Sequence, residues 1–110
     1  MKEQKNNINF DTLMSIDIRV CKILDAIRVP KKDKLIQLTI DTGIGERCVI
    51  TNLGSSFEPE FFKDKKLPFV LNLEPVKIGG ILSEGMIFIS ETDGVPNIQT
   101  IEVAIGSTYL

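Results

Sequence analysis

Apolar residues return at every second position in one short stretch after another, and this period of two constrains the chain more than any other feature. Ile16, Ile18 and Val20 alternate with Asp17 and Arg19. Ile36, Leu38 and Ile40 alternate with Gln37, Thr39 and Asp41, and Leu67, Phe69, Leu71 and Leu73 with Pro68, Val70 and Asn72. Successive side chains of a strand point to opposite faces, so each stretch reads as a strand with one covered side. Glycine, proline and charged turns separate them, which is the punctuation of a small β-domain.

In chain order, residues 1–8 are a polar, mixed-charge, flexible tail. Asn9 is placed to cap a short helix whose Phe10, Leu13 and Met14 share one apolar face. So short a helix must pack on something, either the end of its own domain or a second copy of the chain. The first strand starts at Ile16. After Val20 its pattern blurs, with Cys21 and Ile23 apolar on the opposite parity and Leu24 and Ala26 on the first, which predicts a bend or bulge. Residues 30–34 form a polar turn and residues 35–41 the second strand. A glycine-containing loop leads to the third strand, residues 47–51, with Cys48 and Ile50 expected inward. Pro59 sits where the first turn of a helix tolerates proline, predicting a short helix there. The fourth strand starts at Leu67 and runs to Leu73. Residues 72–86 read as a flexible polar loop. Residues 86–90 are expected to form a fifth strand covered on both faces, and residues 99–103 a short added strand. The apolar Tyr109 and Leu110 are expected to pack.

Strand, strand, strand, short helix, strand, strand is the order of a five-stranded OB-fold barrel. The expected class is therefore mainly all-β, with one short helix between strands 3 and 4 and another at the N-terminus. The chain of 110 residues fits one domain, residues 9–110, behind the tail.

Composition removes several functions. Histidine is absent, and with it Ser-His and Cys-His nucleophilic catalysis. Cys21 and Cys48 lack CxxC partners, and two thiolates do not complete a tetrahedral zinc set, so neither a metal nor a cofactor is expected. Both are read as buried free thiols. Glu58 and Glu60 flank a helix start, where acidic residues favour the helix dipole, and the expectation is no enzyme. No apolar run is long enough to span a bilayer and the N-terminus is polar, which suggests a soluble, cytoplasmic protein. A net charge of −2 argues against indiscriminate nucleic-acid binding but leaves room for a local basic patch. Strands two and three carry no aromatic residue on which single-stranded bases would stack. A structured RNA, met through its backbone and shape, needs only a few cations and hydrogen-bonding groups.

Several pieces in fixed order now identify a resemblance. They are Phe10-x-x-Leu13-x-x-Ile16-Asp17-Ile18-Arg19-Val20, then Asp33-Lys34-Leu35, Asn72-Leu73-x-Pro75-x-Lys77 and Ser83-Glu84-Gly85-Met86. Together they resemble the tRNA-binding domain appended to many bacterial methionyl-tRNA synthetases and found as free-standing proteins. The resemblance implies an OB fold that binds tRNA by shape, as a homodimer joined through the N-terminal helix and C-terminal segment. It places the RNA-facing positions at Lys34, Arg47, Asn72, Lys77, Ser83, Glu84 and Met86. Lys34, Arg47 and Lys77 would meet phosphates, and Asn72 and Ser83 would donate to ribose or phosphate oxygens. Glu84 would accept from a base, a ribose hydroxyl or a lysine, and Met86 would lie against a base or ribose.

Each position also has a plain structural reading. Lys34 can be a solvated turn lysine, Arg47 a surface partner of Glu46 or Asp41, and Met86 a core residue beside Ile87 and Phe88. The pattern favours binding for Lys77 and Ser83 and the core for Met86. The chain departs from the family at Gly79, where relatives often carry arginine, and at Glu74, where lysine is common; both changes subtract positive charge. Thr51-Asn52-Leu53 and Cys21 are further departures. The resemblance extends to secretion chaperones, so an apolar patch of Ile78, Leu82 and Met86 offers an alternative, peptide-binding function. A dimerisation module that has lost RNA binding is the other alternative.

Overall fold

A computed structural model describes residues 2–109; Met1 of the expected tail and Leu110 of the apolar terminus lie outside the described residues. The longest element is β1 (Ile18–Val29), and the sheet is built around it. Its first half pairs antiparallel with β4 (Lys66–Val70), its second half with β2 (Lys32–Asp41). The handover falls at Lys22, and a register shift between Ile23 and Asp25 follows immediately. This is the bulge that the blurred pattern predicts. It explains why Cys21, Ile23 and Ala26 all reach the core although strict alternation would separate them.

The complete sheet runs β3-β2-β1-β4-β7, with β3 at Glu46–Thr51 and β7 at Met86–Ile87. Two small hairpins complete the β-structure: β5 (Val76–Ile78) with β6 (Ile81–Ser83), and β8 (Ser90–Thr92) with β9 (Val95–Asn97). Helix α1 (Phe10–Met14) begins where Asn9 Oδ1 accepts the Thr12 N–H at 2.7 Å, as its capping sequence predicts. Helix α2 (Pro59–Phe62) starts on its proline and delivers Phe62, fully buried, into the core. Burying such a ring contributes about 1.5–3 kcal/mol. Residues 105–109 run along the part of β1 that β2 does not reach: Val20 N–H donates to Ser107 O at 2.9 Å and Gly106 N–H to Val20 O at 2.7 Å. That covers an edge otherwise open to another strand.

Several expectations need correction. In β3 it is Val49 that faces the core, not Cys48 and Ile50. The register sets this, because Val49 lies opposite the core residue Leu38, and cross-strand partners share a face. Ile50 is buried from the other side, where Ser83 bonds its backbone N–H. The expected fifth strand stops after Ile87, and it is not covered on both faces: Met86 and Phe88 are half-exposed. The chain turns instead into the β8–β9 hairpin, and residues 99–103 form no strand. The fourth strand ends at Val70, which leaves Leu73 outside and exposed. The first strand starts two positions later than expected, at Ile18. Residues 30–34 shrink to a turn at Pro30 and Lys31, since Val29 already pairs with Lys32. Residues 72–86 are not a plain loop: Gly79 and Gly80, at φ +59 and +82, make the tight turn of the β5–β6 hairpin.

Candidate nucleic-acid interface

The seven residues singled out from sequence fall into two groups. Asn72, Ser83, Glu84 and Arg47 are occupied inside the protein. Asn72 Oδ1 accepts the Asp17 N–H at 2.8 Å and its Nδ2 donates to Ser15 O at 2.6 Å, tying the end of α1 to the start of β1. Ser83 is buried; its Oγ accepts the Ile50 N–H at 3.0 Å. The Glu84 N–H donates to Cys48 O at 2.9 Å, and Glu84 Oε1 accepts the Cys48 N–H at 3.3 Å. One main-chain bond and two side-chain acceptors thus satisfy the outer edge of β3 in place of a strand ladder. Arg47 crosses the same seam: its Nη1 donates to Leu71 O at 2.6 Å, with Glu84 O at 3.4 Å. It makes no pair with Glu46 or Asp41 among the described residues.

The two thiols lie close to this seam. Cys21 is fully buried, and burial pushes its pKa from 9.0 up to about 12. Cys48 is half-buried and is also raised, first by burial and then by the charge of Glu84. Both are free, as the sequence suggests.

Lys34, Lys77 and Met86 are exposed. On the β5–β6 hairpin Lys77 stands opposite Leu82, on the face turned away from buried Ser83. Met86 is 56% exposed, so the core reading of this residue fails. It lines a groove of about 600 Å³ together with Leu35, Ile50, Ile78 and Ile87.

The remaining cations separate in the same way. Among the described residues Lys2 pairs with Glu91, Arg19 with Asp17, Lys22 with Asp64, Arg28 with Glu58, and Lys63 with both Asp25 and Glu60. Lys65 donates to the Phe61 carbonyl and lies over its ring, and Lys66 donates to Val103 O at 2.8 Å. Lys5 of the N-terminal segment and Lys31, Lys32, Lys34 and Lys77 of the hairpins have no ion pair or side-chain hydrogen bond to a described residue. Lys31 and Lys32 are not among the candidates the sequence offers, although their clustering beside Lys34 is a visible signal. No group of acidic or cysteine side chains among the described residues is arranged to hold a metal ion.

The site is thus a side-chain-stitched seam with a set of uncommitted lysines on the neighbouring hairpins. Residues 18–106 match the family model described as a putative tRNA binding domain, and the chain belongs to that family. Among its relatives, methionine–tRNA ligase of Parabacteroides distasonis is 42% identical over 90 residues, which is 82% of this chain and 13% of that protein. The Bacillus subtilis methionine–tRNA ligase is 38% identical over 98 residues, 89% of this chain and 15% of that one. The chain therefore spans about a seventh of the length of these ligases. A MetRS-related protein from Pyrococcus horikoshii superposes with a TM-score of 0.92 at 29% identity, over 96% of this chain and 100% of its own. The CsaA chaperone of Bacillus anthracis shares the fold, with a TM-score of 0.83 at 21% identity, over 96% of this chain and 100% of that one. No helix among the described residues is long and apolar enough to cross a membrane.

Proposed function

We propose that this chain is a non-catalytic tRNA-binding protein, an OB-fold barrel that recognises structured tRNA by shape and backbone contacts. Membership of the tRNA-binding family across residues 18–106 carries the reading. The barrel is supported by the bent β1, which serves two neighbours, and by the approach of residues 83–84 to β3. Lys34 and Lys77 meet phosphates, and Met86 lies against a ribose or base at the edge of the groove. Arg47, Asn72, Ser83 and Glu84 hold the shape of that surface rather than forming most of its contacts.

The working form is a homodimer joined through α1 and the C-terminal segment. Helix α1 buries none of its residues; Ile8, Phe10, Leu13 and Met14 are 62%, 71%, 49% and 43% exposed. It does not plug its own domain, and a second copy is the cover it lacks. Size-exclusion chromatography with light scattering tests this, and a clean monomer at micromolar concentration contradicts it.

Filter binding of tRNA against single-stranded DNA of equal length tests the main reading. Preferential retention of tRNA with a steep loss of affinity as salt rises is expected. No retention at low salt, or equal retention of both, overturns it. The apolar groove beside Met86 supports a second reading, the capture of an unfolded peptide. In that case an unfolded client competes with tRNA for the protein.

A further inference from the structure

The sequence-derived site places one cation on each of two hairpins, Lys34 and Lys77. The structure joins those hairpins. A β-carbon added to Gly79, at the β5–β6 turn, would stand 2.8 Å from Leu35 Cδ1 and 3.8 Å from Lys32 Cγ. The glycine turn therefore packs against Leu35, beside Val29 and Lys32, and the β1–β2 and β5–β6 hairpins present one continuous surface.

The β1–β2 hairpin is also irregular in a way that projects its lysines. Arg28 pairs with Ile36, yet the next residue, Val29, pairs with Lys32, so residues 33–35 have no partner in β1. Free strand segments of this kind are normally mobile, but this one is pinned. Arg28 Nη1 donates to Asp33 O at 2.7 Å and to Gly54 O at 2.9 Å, and the Gly54 N–H donates to Lys34 O at 2.9 Å. Only glycine fits at position 54, because a β-carbon there would run into the Asp33 carbonyl and stand 2.8 Å from the Lys34 carbonyl carbon. The bulge is fixed from behind and its cations face solvent.

Residues 31–34 hold three lysines and one aspartate, and Lys77 adds a fourth cation. On a chain whose net charge is −2 this is a local reversal of sign. Elsewhere most cations are neutralised by acids or held by carbonyls; these four are not. We propose that Lys31, Lys32 and Lys34 of the β1–β2 hairpin act with Lys77 of the β5–β6 hairpin as one composite grip on the sugar–phosphate backbone of a structured RNA. The inference rests on the RNA-binding reading and moves its centre from the seam to the hairpins. Phosphate contacts of this kind position a duplex without reading its sequence.

The test is tRNA binding by filter retention over graded salt, with wild type, Lys77→Ala, the double variant Lys31→Asn/Lys32→Gln, and all three changes together. Lys31 has φ +64, a conformation that asparagine tolerates. The double variant is expected to bind roughly tenfold more weakly, and its log–log salt slope to fall by about 1–2, the signature of lost phosphate contacts. The triple variant loses more than either alone, with thermal midpoints unchanged. A double variant with wild-type affinity and slope, beside a weakened Lys77→Ala, overturns the composite grip and leaves tRNA binding standing. Wild type that retains no tRNA at low salt removes both.

Discussion

The seam and the hairpin surface lie next to each other in sequence and behave as opposites. Residues 83–84 and Arg47 have their polar groups turned inward, where Ile50, Cys48 and Leu71 use them. Lys77, six residues before Ser83, is exposed and without a partner among the described residues, as are Lys31, Lys32 and Lys34 across the hairpin contact. A single sequence motif thus contains two kinds of residue. One group keeps β3 and the β6–β7 segment together; the other leaves its charge available. The difference teaches that a polar motif at the edge of a small sheet is not automatically a contact motif. It must also replace the hydrogen bonds that a missing strand would have supplied.

That contrast is most easily broken at Arg47. Its guanidinium supplies Leu71 O with a charge-assisted donor at 2.6 Å across a partly buried seam. Arg47→Ala is expected to cost about 2.5 kcal/mol of unfolding free energy, in the range for hydrogen bonds to charged groups. Urea denaturation measures it. A variant as stable as wild type but defective in tRNA binding would return Arg47 to the contact surface. Ser83→Ala comes next. It strands the N–H of buried Ile50, an unsatisfied donor worth about 2 kcal/mol. tRNA affinity per folded molecule is expected to hold, and a selective loss of affinity at unchanged stability would place the hydroxyl on the RNA.

Much of this fold is legible in the sequence because it rests on local rules. The Asn9 cap, the proline-led α2, the alternation of Ile36, Leu38 and Ile40 and the bend of β1 each follow from residues a few positions apart. The errors come from register and from distance. Val49 rather than Cys48 faces inward because β3 pairs with β2 in one particular register, and neither strand alone records which. Residues 86–90 are apolar on both parities, which suggested cover on both sides; the chain leaves the sheet after Ile87 and the pattern has another cause. At the candidate site the polar residue types are visible in the sequence, but their commitments are not. Asn72 reaches Ser15 and Asp17, and Arg28 reaches Gly54 and Glu58; no spacing rule encodes contacts over such separations.

The buried thiol of β1 supplies a pH test that the hairpins do not share. Burial raises the Cys21 pKa to about 12, above its unfolded value of 9.0. Below 9.0 both states keep the proton and pH has no effect through this group. Above it the unfolded chain releases the proton while the folded chain holds it, so stability falls as pH rises. The slope is about 1.4 kcal/mol per pH unit between 9.0 and about 12. Comparing wild type with Cys21→Ala by denaturant titration at pH 8 to 10.5 isolates it, since the other titrating groups are common to both. An equal pH slope in the two proteins would show that Cys21 ionises freely and that the packing around β1 is looser than described.

The smallest effect on stability is expected at Lys77, and it sharpens the contrast from the other side. The side chain is exposed on the outer face of the β5–β6 hairpin, opposite Leu82, with no acid bonded to it among the described residues. Lys77→Ala removes a solvated charge and leaves every described hydrogen bond in place, so unfolding free energy changes by less than about 0.5 kcal/mol. Its salt slope for tRNA falls by about 1, the share of a single phosphate contact. Stability and binding therefore move in opposite order at the two regions: Ser83→Ala costs folding and spares affinity, Lys77→Ala spares folding and costs affinity. If Lys77→Ala destabilises the fold as much as Ser83→Ala does, the hairpin is part of the seam, and the division between shape-holding and contact residues collapses.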